Sequence, residues 1–226
     1  MPIMSMTSYW TQLQTGLSAA ERVFALIDAE HSVQQTDDKV PQEMKGEIVF
    51  ENVDFHYTPD APILSNVNLR IAPGENLAIV GHTGSGKSSI ARLLTRFYEY
   101  QGGKILIDGQ DIRSFDLTAL RGRIGLVTQV PFLFEGTVEE NIRLSRPEVT
   151  TEEILAIARQ IGNGEWLETF SQGLATEVGE RGSKISMGQR QLVALMRVLV
   201  QQPSFFILDE ATASIDPFTE KQIQNA

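Results

Sequence analysis

Cysteine is missing altogether from the 226 residues. No disulfide framework, thiolate zinc site or thiol nucleophile is therefore available. Histidine is nearly as scarce: His31, His56 and His82 lie far apart, without the spacing of metal ligands. Positive charge is in short supply too. Lys and Arg total 19 against 29 Asp and Glu, a formal net charge of −10. So acidic a chain is a poor non-specific binder of nucleic acid, which demands clustered cations. Long apolar runs are lacking: Leu77-Ala78-Ile79-Val80 and Phe205-Phe206-Ile207-Leu208 are the size of core strands, far below the ~20 residues of a membrane-spanning helix. No basic stretch followed by an apolar one stands at the N-terminus, so no signal peptide is expected there. What is present is a composition 42% hydrophobic and 8% aromatic, enough for a packed core and incompatible with global disorder.

The first 30 residues read as one helix, because Trp10, Leu13, Leu17, Ala20, Phe24 and Ile27 recur at intervals of three and four. Two readings of this seam stand side by side: a helix packed on its own domain, or one continuing from something upstream. His31 to Gly46 is polar and aperiodic, the texture of a linker. From there Ile48 and Phe50, the Val53-Phe55-Tyr57 alternation and Val67-Leu69-Ile71 read as strands. Pro73-Gly74-Glu75 reads as a turn. Leu77 to Val80 is expected to be a strand buried on both faces. Lys104 to Asp108 and Gly125 to Thr128 follow as short strands, while Ser88 to Phe97, Glu152 to Ile161 and Gln189 to Val200 read as helices. Strands alternating with helices argue an α/β domain with a parallel sheet.

Gly81-His82-Thr83-Gly84-Ser85-Gly86-Lys87-Ser88 fits the phosphate-loop pattern G-x-x-x-x-G-K-[ST]. It follows an apolar stretch and opens a helix, as phosphate binding demands. Glycines at 81, 84 and 86 let backbone N–H groups curl around a polyphosphate at the helix N-terminus. Lys87 supplies a point charge for the β- and γ-phosphates, and the Ser88 hydroxyl suits Mg²⁺. His82 occupies a variable slot and reads as a bystander. Downstream, Phe205 to Leu208 end abruptly in Asp209 and Glu210. On a parallel sheet, ligands sit at the carboxyl ends of the strands, which places both carboxylates beside the phosphates. Asp209 is expected to hold Mg²⁺, and Glu210 to orient or deprotonate the attacking water.

Taken in order, these motifs resemble the nucleotide-binding domain of an ABC transporter, most closely of the multidrug-exporter type. Leu126-Val127-Thr128-Gln129-Val130-Pro131-Phe132-Leu133-Phe134 resembles the family's Q-loop, whose glutamine senses Mg²⁺ and the attacking water. Ile185-Ser186-Met187-Gly188-Gln189-Arg190-Gln191 resembles the signature motif, and Ser214-Ile215-Asp216 the D-loop. Tyr57 matches the aromatic that stacks on adenine. Thr176 to Gly182 resembles the exporter segment that touches the partner's intracellular loops. The match runs from about Gly46 onward. It implies an α/β fold: a P-loop NTPase core with a parallel sheet, an antiparallel β subdomain and a helical signature-motif subdomain. It also implies ATP and Mg²⁺ as ligands. Lys87, Gln129 and Glu210 would be catalytic. Tyr57, Gly81, Thr83, Gly84, Ser85, Gly86, Lys87, Ser88 and Ser89 would bind the nucleotide, and Ser88, Gln129 and Asp209 would hold the metal.

In the family, the signature caps the γ-phosphate bound to the opposite subunit, so Ser186, Gly188 and Gln189 would reach a nucleotide held by a second ABC ATPase domain. Closure and opening of such a dimer is a rigid-body switch. Met187 departs from the pattern, standing where the family usually has a glycine. It either crowds the trans phosphate or is tolerated beside the intact Ser186, Gly188 and Gln189. The family's switch histidine has no counterpart up to Ala226, so this stretch alone is expected to bind ATP but hydrolyse it poorly.

On this resemblance, residues 1–30 form a helical tail continuing from a last transmembrane helix, 31–46 a linker, and 47–226 the ABC ATPase domain. The partners would be a second ATPase domain and transmembrane domains of the same polypeptide, at the cytoplasmic face of the membrane, exporting a small molecule or lipid. An importer ATPase is the alternative, though importers carry these domains on separate chains. A DNA-repair or chromosome-organising ATPase would need a long coiled-coil insertion, yet only 55 residues separate Gln129 from Ile185. A non-hydrolysing regulatory subunit fits poorly with Lys87, Gln129 and Glu210 all in place.

Overall fold

An apolar residue every third or fourth position builds the first helix, α1 (Pro2–Ile27). The computed structural model describes residues 2–29, 33, 35–41 and 43–209, with side chains from residue 8 onward. Glu210, the 214–216 motif and His31 lie outside the described residues. The chain divides into two units, 1–34 and 35–226. In the first, the seam residues Trp10, Leu13, Leu17, Phe24 and Ile27 are all exposed. No helix among the described residues is long and apolar enough to cross a membrane.

In the second unit, period-two patterning makes a hairpin. β1 (Ile48–Thr58) and β2 (Ala61–Ile71) pair antiparallel, burying Ile48, Phe50, Val53, Phe55 and Leu64. The turn expected at 73–75 is there, closed by Glu75 N–H donating to Ala72 O at 3.1 Å. The phosphate loop then leads into α2 (Lys87–Leu94). β3 (Gly102–Ile107) takes the other edge of β1, and β4 (Gln110–Asp111) pairs with β3, completing an antiparallel sheet of order β2-β1-β3-β4. Between Glu51 and Asp54 the β1–β3 register slips. There Asn52 adopts φ 48°, and Gly103 lies opposite with φ +79°, so close that a Cβ would stand 2.3 Å from the Glu51 and Asn52 carbonyl oxygens. Only glycine fits that approach.

α3 (Leu117–Arg121) precedes β5 (Ile124–Val127). Two short helices, α4 (Val138–Arg143) and α5 (Thr151–Ala158), each open on a capping box, Thr137 with Glu140 and Thr150 with Glu153. Next come 3₁₀ turns, the signature helix α6 (Met187–Gln201), and β6 (Phe205–Leu208), which pairs parallel with β5. The expected helices and strands at these places are present, with ends shifted by a few residues.

Two apolar cores organise this unit. One lies under the antiparallel sheet and takes Leu93 and Leu94 of α2. The other gathers α4, α5, α6 and the fully buried Trp166. β5 contributes to both, Ile124 to the first and Val127 to the second. The phosphate-loop helix and the signature helix thus stand on different cores. The stretch read as a linker is partly tied down: Thr36 N–H donates to Arg113 O and Lys39 N–H to Ser114 O, both at 3.0 Å.

The structure corrects one expectation. Leu77 to Val80 is not a strand buried on both faces. It has no regular secondary structure and lies outside both sheets, and Leu77, Ile79 and Val80 are exposed, Val80 by 89%. A strand needs neighbours to satisfy its backbone, and among the described residues no strand pairs with this one. β6 shares its surroundings, for Phe206 and Leu208 are also exposed.

Candidate nucleotide site

The loop after Val80 turns back on itself and starts α2. Gly86 is the N-cap, with φ +90°, and its Cβ would meet the Leu64 Cδ2 at 2.8 Å. Any side chain here would be strained and would collide with β2. Lys87 folds over the loop, its Nζ donating to Gly81 O at 2.9 Å and His82 O at 3.0 Å. The ammonium thus ties the start of the loop, Gly81 and His82, to the first residue of α2, where the helix's first N–H groups have no intrahelical partner. A cavity of about 390 Å³ reaches Lys87 and Asp209, lined also by Leu77, Ile79 and β6.

Parallel pairing of β5 and β6 sets the acidic end. Val127 aligns with Leu208, and Asp209 N–H donates to Val127 O at 3.0 Å. Thr128-Gln129 after β5 and Asp209 after β6 thus leave the sheet at the same carboxyl end. Asp209 reaches across to the loop, and Ser88 Oγ donates to its Oδ1 at 2.7 Å. A hydroxyl and a carboxylate this close are the hard oxygen donors Mg²⁺ prefers. Among the described residues no group of three or more His, Cys, Asp or Glu is gathered to hold a metal ion. A metal here would have to complete its shell with phosphate oxygens and water.

Tyr57, on the exposed end of β1, is brought to the same loop by α2. Its Oη lies 3.0 Å from Ser89 Oγ and accepts from Arg92 Nη1 at 2.8 Å. Phe55 and Tyr98 pack edge-on against it, with centroids 4.8 and 4.9 Å away. Ser89 is itself buried, and its hydroxyl meets that of the phenol.

The signature residues cap α6. Ser186 Oγ accepts from Gln189 N–H at 3.2 Å while Gln189 Oε1 accepts from Ser186 N–H at 2.9 Å. Gln189 Nε2 also donates to Thr169 O at 2.9 Å, so Gln189 is committed to fixing the cap. Gly188 is buried and Met187 half-buried at the first helical position. Thr176 to Gly182 packs alongside α4, Glu177 bridging to Thr137.

Sequence reasoning missed the residues that hold the Q-loop. Buried Gln191 donates from Nε2 to Gln129 O at 3.2 Å. Arg197 donates to Phe132 O at 3.0 Å, and to Asn141 O and Oδ1 at 2.8 and 3.0 Å. Burial pushes its guanidinium pKa down. All three span gaps of 56 residues or more in sequence, so no local pattern signals them. Arg92 was missed for the same reason.

A glycine loop closed by a lysine at the head of a helix, with a hydroxyl–carboxylate pair beside it, defines a phosphate-binding site of the P-loop NTPase class. A profile of the ABC transporter family matches residues 64–213, and the chain belongs to that family. An ABC transporter ATP-binding protein of Bacillus subtilis, YknV, is 44% identical over 226 residues, all of this chain and 37% of the relative. A fatty acid ABC transporter ATP-binding/permease protein of Mycobacterium bovis is 41% identical over 226 residues, all of this chain and 36% of the relative. The structure of a bacterial Atm1-family ABC exporter with ATP bound matches at a TM-score of 0.83 and 39% identity, over 95% of this chain and 38% of that one. The chain thus spans little more than a third of these proteins. Its α/β ABC ATPase fold is that of an exporter-type ATP-binding domain.

Proposed function

We propose that this chain is the ATP-binding and ATP-hydrolysing part of an exporter that moves a small molecule or lipid across a membrane. The Ser88–Asp209 hydrogen bond carries the reading, because it joins the phosphate loop to the acidic end of β6 across 121 residues. The likeness to an exporter with ATP bound and to an ATP-binding/permease protein favours export over import.

In this reading the N–H groups of Gly84 to Ser88 and the Lys87 ammonium take the β- and γ-phosphates. Tyr57 offers its ring to the adenine. Ser88, Asp209 and Gln129 hold Mg²⁺, which when bound neutralises charge on the phosphate oxygens. Glu210 accepts the proton of the water that attacks the γ-phosphate. Ser186, Gly188 and the α6 N-terminus face the nucleotide of a second ATPase domain, and dimerisation on ATP drives transmembrane domains of the same polypeptide from the cytoplasmic face of the membrane.

The test is ATP binding by titration calorimetry with and without Mg²⁺, alongside size exclusion of Glu210→Gln with ATP. ATP should bind the chain, lose most of its affinity in Lys87→Ala, and lose its Mg²⁺ dependence in Asp209→Asn. Equal ATP affinity in Lys87→Ala would overturn the site. In the full-length transporter, Glu210→Gln should trap a closed pair of ATPase domains with ATP; its absence would overturn the dimer mechanism.

A further inference from the structure

We propose that Arg92 is a positioning residue that sets the nucleobase platform, a role resting on the reading of Tyr57 as the surface on which the base stacks. Arg92 lies three residues beyond Ser89 on α2, and side chains at that spacing share one helix face. That face meets the tip of Tyr57. Arg92 Nη1 donates to Tyr57 Oη at 2.8 Å, and Ser89 Oγ stands 3.0 Å from the same oxygen. Guanidinium never accepts a hydrogen bond. With Arg92 donating into it, the Tyr57 hydroxyl keeps its own proton for Ser89, so the phenol is clamped between two residues of one helix turn.

The clamp extends over the ring. The Arg92 guanidinium carbon lies 5.7 Å from the Tyr57 centroid and 6.0 Å from that of Tyr98, within cation–π range of both. Tyr57 and Tyr98 meet edge-on at 4.9 Å with an interplanar angle of 85°. One cation therefore holds two aromatic rings beside the first turns of α2, while Phe55 closes Tyr57 from β1 at 4.8 Å. Tyr57 remains 40% exposed, leaving surface for a base. A stacking surface that is already oriented spares the ligand the entropy of ordering it. Because α2 begins at the phosphate loop, Arg92 also fixes the distance between base platform and phosphate site.

The consequence is a split between the two ends of the ligand. Arg92→Ala should weaken ATP binding about 3- to 10-fold, the range of one exposed charged hydrogen bond plus weak cation–π contacts. Inorganic tripolyphosphate, which has no base, should bind the variant as it binds the parent chain. Arg92→Lys should restore part of the ATP affinity, since it keeps the charge and a donor but not the planar fork. Adding Arg92→Ala to Tyr57→Phe should cost less than in the parent, because its hydrogen-bond acceptor is already gone.

Titration calorimetry of ATP and tripolyphosphate against the chain and the variants Tyr57→Ala, Tyr57→Phe, Arg92→Ala, Arg92→Lys and Tyr57→Phe/Arg92→Ala decides the matter. If Tyr57→Ala weakens ATP but Arg92→Ala does not, the platform stands and the role of Arg92 is overturned. If Tyr57→Ala leaves ATP binding unchanged, the platform itself is wrong. Equal losses of ATP and tripolyphosphate in Arg92→Ala would mean a damaged phosphate loop and would likewise overturn the positioning role.

Discussion

Replacing Asn141 with alanine should loosen the Q-loop and cost the fold about 3 kcal/mol. The side chain is 2% exposed and uses its full amide capacity. Oδ1 accepts from Phe134 N–H at 2.9 Å and from Arg197 Nη2 at 3.0 Å, while Nδ2 donates to Phe134 O at 2.9 Å and Thr137 O at 3.0 Å. Thr137 O keeps the Asn141 backbone N–H, and Arg197 keeps the carbonyls of Asn141 and Phe132. The real losers are the two backbone groups of Phe134 and one guanidinium N–H, at about 1 kcal/mol each. For a chain of this size that corresponds to a fall in Tm of roughly 6–12 °C. Urea unfolding with an unchanged slope gives the energy, and amide exchange at Phe134 gives the locality. Asn141→Asp keeps both acceptor contacts and a charge facing Arg197, but it sets its second oxygen against the Phe134 and Thr137 carbonyls that Nδ2 now serves, so it should destabilise no less than alanine. An alanine variant that loses under about 1 kcal/mol with unaltered exchange at Phe134 would show that the loop is held by other contacts.

Gly103→Ala combines a left-handed backbone with a Cβ 2.3 Å from two carbonyl oxygens, and thermal melting should register a loss of about 3 kcal/mol or more. Gln191→Leu removes the Gln129 tie but also the Gln191 Oε1, which has no partner; stability should change by less than about 1 kcal/mol while exchange over residues 128–132 quickens. The Thr151 hydroxyl and then Arg143 hold Glu139 below its ordinary pKa of 4.5. This contribution is complete above pH 4.5 and disappears as acid protonates the carboxylate, so Glu139→Gln should lower stability at neutral pH, where the contribution is lost, and flatten the acid limb of a stability–pH curve.

The loop before α2, the acidic strand and the antiparallel strands were legible because each is a contiguous pattern: Gly81 to Ser88, Phe205 to Asp209, and the alternation from Ile48 through Tyr57. The signature helix was legible as well, although read from Gln189, two residues inside its start at Met187. The run Leu77 to Val80 was not, since four apolar residues announce burial without naming what covers them. The ties that set geometry stayed hidden for a related reason. Asn141 with Arg197, Arg197 with Phe132 and Arg92 with Tyr57 are polar side chains whose partners only the tertiary structure brings near.

The Ser88–Asp209 contact also has a temporal side. Hairpin β1–β2 and the loop of α2 are local and can form early, but β5 cannot meet β6 until α6 has packed between them in sequence. Contacts of such long range pay loop-closure entropy before they return any stability. The Ser88–Asp209 contact is therefore expected to close late, together with the second core. A nascent chain would carry its phosphate loop exposed for 121 residues of synthesis before Asp209 exists to face it. A nucleotide that needs both halves would then bind only molecules that have finished folding, and would hold them there.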